Sequence, residues 1–89
     1  MNELTLIDNQ TIQDKIHTIR GVQVMIDRDL AFLYEVETKA LNQAVKRNES
    51  RFPDDFRFQL DDNEKDELVT NCDRFKTLKH STVNPYAFT

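Results

Sequence analysis

The sequence predicts a small α+β domain: a helix-turn-helix, winged-helix-like, with short strands and a hairpin packed beside it. Three observations lead to this class. The 89 residues allow one domain with a modest core. Apolar residues recur at helical spacing in residues 27–49 and alternate strictly in residues 55–60. The only glycine, Gly21, lies within a strand-like run, where a hairpin turn requires it.

The first third of the chain is predicted to form an arm and a hairpin. Residues 1–11 are expected to be a loose N-terminal arm, and residues 12–89 a single domain. Residues 15–26 are interpreted as two strands joined at Gly21. The apolar side chains expected to supply their buried face are Ile16, Ile19, Val22, Val24 and Ile26.

Two short helices are predicted next. Asp27 is a short acid before an apolar-periodic run and is interpreted as the N-cap of the first helix. Thr38 is interpreted in the same way for the second helix, which should run to Asn48 or Ser50. A helix-turn-helix requires a small side chain where its helices cross, and Ala31 meets that requirement. The residues expected to line the shared interior are Leu30, Tyr34, Val36, Leu41 and Ala44.

The remainder of the chain is predicted to alternate strand and helix. Residues 55–60 form a half-buried strand that turns Arg57 and Gln59 outward. Asp61 begins a third helix, with Glu64 as its capping-box partner and Leu68 and Val69 as its apolar anchors. Residues 73–82 are expected to be a mobile loop. The terminal residues 84–89 are expected to be a strand paired with residues 55–60.

The charge distribution favours DNA as a partner more than the total charge does. The net charge is −4, but residues 38–51 hold four cations against Glu49 alone. Residues 52–67 hold seven acids against two cations, so the acidic third helix should point away from any DNA. A polarised surface of this kind also occurs in domains that do not bind DNA.

The polar side of the second predicted helix carries residue types that suit a major groove. Lys39, Asn42 and Gln43 are expected to reach base edges. Lys46, Arg47 and Arg51 are expected to reach phosphates, and Thr38 to cap the helix, contact phosphate, or do both. Outward-facing Arg57 is a further phosphate candidate, although a solvated strand face is the simpler interpretation.

The motifs closely resemble the ORF-six-N domain family, a relative of KilA-N domains. The resemblance rests on "IRG" at 19–21, "DRDLAFLYEVETKALNQAVKRN" at 27–48, "RFPDDFRFQL" at 51–60 and "PYAFT" at 85–89. It covers about residues 14–89. Glu35, where a helix-turn-helix often has glycine, is a small departure from the general motif.

The resemblance implies a phage-derived domain, found in phages and prophage-bearing bacteria, that binds double-stranded DNA and regulates transcription. The family's "KRN" maps onto Lys46, Arg47 and Asn48, which adds Asn48 to the predicted DNA-binding residues. The family pattern continues past the position of Thr89 with an acid and a glycine. We therefore expect a truncated chain or a short version, lacking a C-terminal partner domain.

Other functions are weighed against this expectation. The alternative is a protein-interaction module that docks a partner, as an antirepressor does. Asp54-Asp55 and Asp61-Asp62 are interpreted as caps and solvated charge, and His17, His80 and Cys72 lack metal-site spacing. We expect no enzymatic activity, no cofactor and no metal. A single cysteine and the lack of a long apolar run favour a cytoplasmic protein without membrane contact. The sequence has no coiled-coil seam, so it does not indicate an oligomeric state.

Overall fold

The structure is a computed structural model that describes residues 12–53 and 55–89. It is a small α+β domain, as the sequence predicts. The predicted arm, residues 1–11, lies outside the described residues. The strands are β1 (Ile16–Ile19), β2 (Val22–Ile26), β3 (Arg57–Gln59) and β4 (Tyr86–Phe88), and the α-helices are α1 (Asp27–Leu33), α2 (Thr38–Arg47) and α3 (Asp62–Asn71). Two 3₁₀ helices cover Glu49–Arg51 and Asp73–His80.

The strands form one antiparallel sheet in the order β1-β2-β4-β3. The predicted hairpin is confirmed, because Arg20 and Gly21 both have positive φ (57° and 75°) between β1 and β2. Two successive positive φ angles are the signature of the type I′ turn, whose twist matches that of the strands. The predicted pairing of residues 84–89 with residues 55–60 is also confirmed, through Phe58 opposite Ala87.

The core lies where the sheet meets α3 and the second 3₁₀ helix. Its fully buried large side chains are Ile26, Leu60 and Phe75. Val24, Leu68 and Ala87 complete the cluster. The predicted buried face of the hairpin is wrong at Ile16 and Val22, which are exposed. Ile16 pairs with Met25 in a register that turns it to the opposite face from Val24, and Val22 lies at the turn end of the hairpin, directly after Gly21.

The prediction for the third helix is confirmed at its start. The Asp61 side chain accepts a hydrogen bond from the Glu64 amide at 2.8 Å, and Glu64 Oε1 accepts one from the Asp61 amide at 2.9 Å. This reciprocal pair is a capping box. Leu68 is buried and Val69 half-buried, as expected of the apolar anchors.

The predictions for the first two helix starts are wrong by one residue. The N-cap of α1 is Ile26 and that of α2 is Glu37, and neither makes a side-chain capping bond. Asp27 and Thr38 are therefore the first residues inside their helices. Helix α2 ends at Arg47, slightly earlier than predicted, and the chain continues into the short 3₁₀ helix.

The predicted mobile loop is instead an anchored 3₁₀ helix. Phe75 is completely buried, and Arg74 binds the buried carboxylate of Asp29 on α1, with Nη2 3.0 Å from Oδ2. The His17 ring packs 5.9 Å from that of Phe75. Burial lowers the pKa of His17 and the nearby Arg74 charge lowers it further, while Asp29 acts in the opposite direction. The aromatic ring of Phe75 and the Arg74–Asp29 ion pair thus tie a largely polar segment to the rest of the domain.

The shared interior of α1 and α2 differs from the prediction. Ala31 is 1% exposed, as expected of a crossing point. Tyr34, Val36 and Ala44 are exposed, so their predicted burial is wrong. Val45, the next apolar residue of the stripe on α2, is buried. None of the helices in the described part of the chain is long and apolar enough to span a membrane.

Candidate functional site

The turn between α1 and α2 has a defined backbone geometry. The Val36 amide donates to the carbonyl of Ala31 at 3.0 Å, and the Glu35 amide donates to that of Phe32 at 3.2 Å. Glu35 has a φ of 58°, in the left-handed region. These are the features of a Schellman motif, in which glycine usually takes the left-handed position. The turn therefore keeps its geometry although glutamate stands where glycine is usual.

Most of the predicted site residues, on α2 and just after it, are exposed to solvent. Thr38 and Asn42 are half-buried, whereas the other six are exposed: Lys39, Gln43, Lys46, Arg47, Asn48 and Arg51. Asn48 follows the helix, and its Nδ2 donates to the Ala44 carbonyl at 2.8 Å. The same carbonyl also accepts from the Asn48 backbone amide at 3.3 Å, so Asn48 binds the last turn of α2 through both groups.

Asn42 is tied into a buried polar network. Its Nδ2 donates to Asp27 Oδ2 at 2.7 Å, and its Oδ1 accepts from Arg57 Nη1 at 3.2 Å. Asp27 is 4% exposed and also accepts from the amides of Arg28 (2.7 Å) and Tyr86 (3.2 Å). The network links the start of α1 with α2, β3 and β4. Both polar ends of the Asn42 amide group are therefore occupied within the protein.

The Arg57 guanidinium lies over the Tyr86 ring, with its central carbon 4.1 Å from the ring centroid. The cation is attracted to the face of the ring, and the Asn42 bond fixes its position along β3. Arg57 is half-buried, so the strand face predicted to point fully outward is partly covered. The guanidinium is thereby held in one place beside α2.

A groove of about 610 Å³ runs between α2 and the segment from Thr77 to Tyr86. We call it the α2 groove. Its α2 wall is formed by Thr38, Lys39, Asn42, Gln43 and Lys46, its opposite wall by Thr77, Leu78, Ser81, Val83, Asn84 and Pro85, and its floor by Asp27, Arg28, Arg57 and Tyr86. Five of the eight predicted residues thus share one groove. Arg47, Asn48 and Arg51 lie outside its lining.

The groove and the adjoining face of α2 carry unpaired positive charge. Within the part of the chain that the structure describes, no carboxylate lies within ion-pair distance of Lys39, Lys46 or Arg57. Asp27, the acid in the lining, already accepts three hydrogen bonds. The groove is therefore suited to an anionic group.

The acidic helix α3 starts behind the far wall of the groove. Asp62 Oδ1 accepts from Asn84 Nδ2 at 2.9 Å, and Lys65 Nζ donates to the Ser81 carbonyl at 2.8 Å. Among the described residues, none from α3 lines the groove. Glu64, in the first turn of α3, pairs with Arg20 of the hairpin turn and not with a cation of the groove.

The far wall of the α2 groove is not predicted from the sequence, and no binding role is predicted for Tyr86 on its floor. The sequence predicts Tyr86 only as part of the last strand and residues 73–82 only as a mobile loop. One signal in the sequence could have revealed the floor of the groove. Arg57 and Tyr86 lie on the two strands predicted to pair, and this pairing brings a cation close to an aromatic ring. Among residues 12–53 and 55–89, no cluster of three His, Cys, Asp or Glu side chains is placed to hold a metal ion.

The comparisons with known proteins identify a family and give no closer relative. The profile of the ORF6N domain matches residues 14–89. No curated protein matches the chain, and no solved structure does.

Proposed function

The chain belongs to the ORF6N domain family, and on this premise we propose that it binds double-stranded DNA by docking the exposed side of α2. The observation that carries this proposal is the row of exposed cations on α2, which have no carboxylate partner among the described residues. Cations on one helix face are the usual source of affinity for phosphates. Regulation of phage or prophage transcription is the role that the family resemblance implies.

In this proposal α1 and α2 act as the two helices of a helix-turn-helix. Lys39 and Gln43, in the N-terminal half of α2, read base edges. Lys46, Arg47 and Arg51 contact phosphates. Thr38 and Asn48 lie at the two ends of the helix, where small polar groups bond the sugar-phosphate backbone. The domain is a binding module and performs no catalysis.

Asn42 receives a different role from the one its sequence position suggests. Its amide group is bonded to Asp27 and Arg57 in the absence of DNA. Turning the amide towards an adenine would disturb both bonds and weaken the contact with buried Asp27, which is costly. We therefore propose that Asn42 holds the Arg57 guanidinium in place and does not contact a base.

The experiment is a titration of fluorescent duplex DNA with the chain, followed by anisotropy at several salt concentrations. Wild-type affinity should fall steeply with salt. Lys46→Gln should weaken binding on every sequence and lower the slope of log K against log salt by about one. Gln43→Ala should keep the slope and reduce discrimination between sequences by about 1–3 kcal/mol.

Lys76→Gln is the matched control, because it makes the same charge change at an exposed residue that already pairs with Asp73, 3.6 Å away. Its salt slope should stay at the wild-type value. A Lys46→Gln slope equal to that of Lys76→Gln, or binding that is independent of salt, would contradict the DNA-binding proposal.

The second candidate function is docking to another protein, and one observation favours it. Phe32 and Tyr34, at the end of α1, are 66% and 68% exposed, and Val36 in the turn is 46% exposed. Exposed apolar patches mark protein interaction sites. An apolar interface would depend weakly on salt and would be lost in Phe32→Ser and Tyr34→Ser, whereas these changes should leave the salt slope for DNA intact.

A further inference from the structure

The α2 groove has a shape and chemistry that an exposed recognition helix does not need. We propose that it seats one unpaired nucleotide of a DNA strand, so that the chain prefers DNA with an unpaired base over fully paired DNA. This inference rests on the proposed function and extends it from the surface of α2 into the groove beside it.

The size of the groove fits a single nucleotide. Its volume of about 610 Å³ lies within the range of roughly 300–1,000 Å³ that is typical of small-ligand sites. The α2 wall belongs to the helix proposed to contact the duplex, since Lys39, Gln43 and Lys46 line the groove and are also exposed. One nucleotide of a DNA strand bound to α2 can therefore enter the groove while its neighbours stay on the helix.

The two walls differ in the way that a single nucleotide requires. One wall carries Lys39 and Lys46, which suit a phosphate, and the opposite wall carries Leu78, Val83 and Pro85, which suit the apolar faces of a base and its sugar. Sites for single-stranded nucleic acid combine a cationic track with flat or apolar surfaces for the bases. The groove shows this combination over a short distance.

The floor supplies a stacking surface. The guanidinium of Arg57 is planar, lies 4.1 Å over the Tyr86 ring and is held by Asn42. A guanidinium plane is a good partner for an unstacked base. Since Arg57 lines the groove and is bound to no carboxylate among the described residues, it combines a planar group with a positive charge that no ion pair neutralises.

An acidic peptide is the competing occupant. It would satisfy Lys39 and Lys46, and its apolar side chains would suit Val83 and Pro85. It would make no particular use of a guanidinium held over a ring. The stacked pair of Arg57 and Tyr86 therefore favours a nucleobase.

The test compares binding of three fluorescent DNAs by anisotropy: a hairpin duplex, the same duplex with one bulged thymine, and a single strand of the same length. We expect the bulged duplex to bind roughly tenfold tighter than the paired duplex, as stacking of one base provides. The ratio of these two Kd values is the readout, because it cancels contacts that both DNAs make with α2.

Two variants act on the groove without sharing a mechanism. Arg57→Lys keeps the charge and removes the plane, and should bring the ratio close to one. Val83→Glu places a carboxylate on the exposed part of the far wall (Val83 is 63% exposed) and should lower the ratio without disturbing the core. Lys76→Gln should leave the ratio at the wild-type value. Circular dichroism and thermal unfolding of each variant establish that it is folded.

The outcomes separate the inference from the proposed function. A wild-type ratio near one, with duplex binding intact, overturns the inference and leaves the function. If neither Arg57→Lys nor Val83→Glu changes the ratio, the unpaired base binds somewhere other than the groove. This result also overturns the inference. Tighter binding of a leucine-containing polyglutamate peptide than of any DNA, lost in Val83→Glu, makes the groove a peptide site. Failure to bind all three DNAs overturns the proposed function itself.

Discussion

Two aspartates stand at the starts of helices α1 and α3, and the fold uses them in different ways. Asp61 caps α3 by accepting from the Glu64 amide, three residues away. Asp27 is the first residue inside α1, and its carboxylate accepts from Asn42 and Tyr86, 15 and 59 residues away. The same residue type at nearly the same position therefore serves a local bond in one helix and a tertiary junction in the other.

The difference follows from the surroundings of the two side chains. Asp61 is exposed, so water satisfies whatever the helix start does not. Asp27 is buried beside β4, and the N–H groups that it binds belong to partly buried residues, where water replaces a lost acceptor only in part. Buried hydrogen bonds are costly to remove for this reason. The two helix starts should therefore respond very differently to substitution.

The largest expected effect is that of Asp27→Ala. The change removes the acceptor of the amides of Arg28 and Tyr86 and of the Asn42 side chain. We expect the free energy of unfolding to fall by about 3 kcal/mol. Urea unfolding followed by circular dichroism measures this change.

Asp27→Asn is the matched control, because it keeps the shape and one carbonyl acceptor. It should be less destabilising than Asp27→Ala, since part of the network stays bonded. A loss below about 1 kcal/mol for Asp27→Ala, which is the range of an exposed cap, would remove the distinction between the two aspartates.

The next effect in size is that of Asp61→Ala. Loss of an N-cap acceptor should lower the free energy of unfolding by about 1 kcal/mol. Asp61→Ser retains a capping oxygen and should recover most of it. The same urea experiment applies, and hydrogen exchange of the Glu64 amide should speed up in Asp61→Ala alone. A loss as large as that of Asp27→Ala would mean that α3 depends on its cap far more than its exposure implies.

The smallest expected effect is a pH dependence at the start of α3. Arg20 donates hydrogen bonds to the Glu64 carboxylate at 2.8 and 2.9 Å, and these bonds lower the pKa of Glu64 from its ordinary value of 4.5. The folded state thus holds this proton less tightly than the unfolded chain does. The stabilisation is present above pH 4.5 and disappears as the pH falls through the lowered folded value.

Glu64→Gln isolates this contribution, because glutamine keeps the capping-box acceptor and removes the charge. The stability difference between wild type and Glu64→Gln should be greatest near neutral pH and vanish in acid. It should be small, since the ion pair is near the surface. Urea midpoints at three pH values measure it, and a difference that stays constant with pH would argue against the Arg20 contact.

The same division between local and distant partners explains which sequence predictions succeeded. The capping box at Asp61, the hairpin turn at Gly21 and the pairing of the last strand with residues 55–60 are confirmed. The N-cap assignments of Asp27 and Thr38 are wrong. For Asp27 the reason is that a capping residue type does not reveal that its carboxylate has partners elsewhere. The loop predicted for residues 73–82 is wrong, because its order depends on burial of Phe75 and on the bond from Arg74 to Asp29.

The candidate site shows the same pattern. The exposed face of α2 was predicted from helical spacing, since residues three and four apart share a face. Its role in DNA binding stays a prediction. The α2 groove was not predicted, because its far wall comes from residues 77–86, and no periodicity in the sequence connects that segment with α2.

The sequence by itself determined the α+β class, the hairpin, the capped third helix and the cationic face of α2, because each depends on residues within a few positions of one another. Only the tertiary structure decided that Asn42 bonds Asp27 and Arg57, that Arg57 lies on Tyr86, and that a groove opens beside α2. These contacts join distant parts of the chain, and they form because burial of the core brings α1, α2, β3 and β4 together.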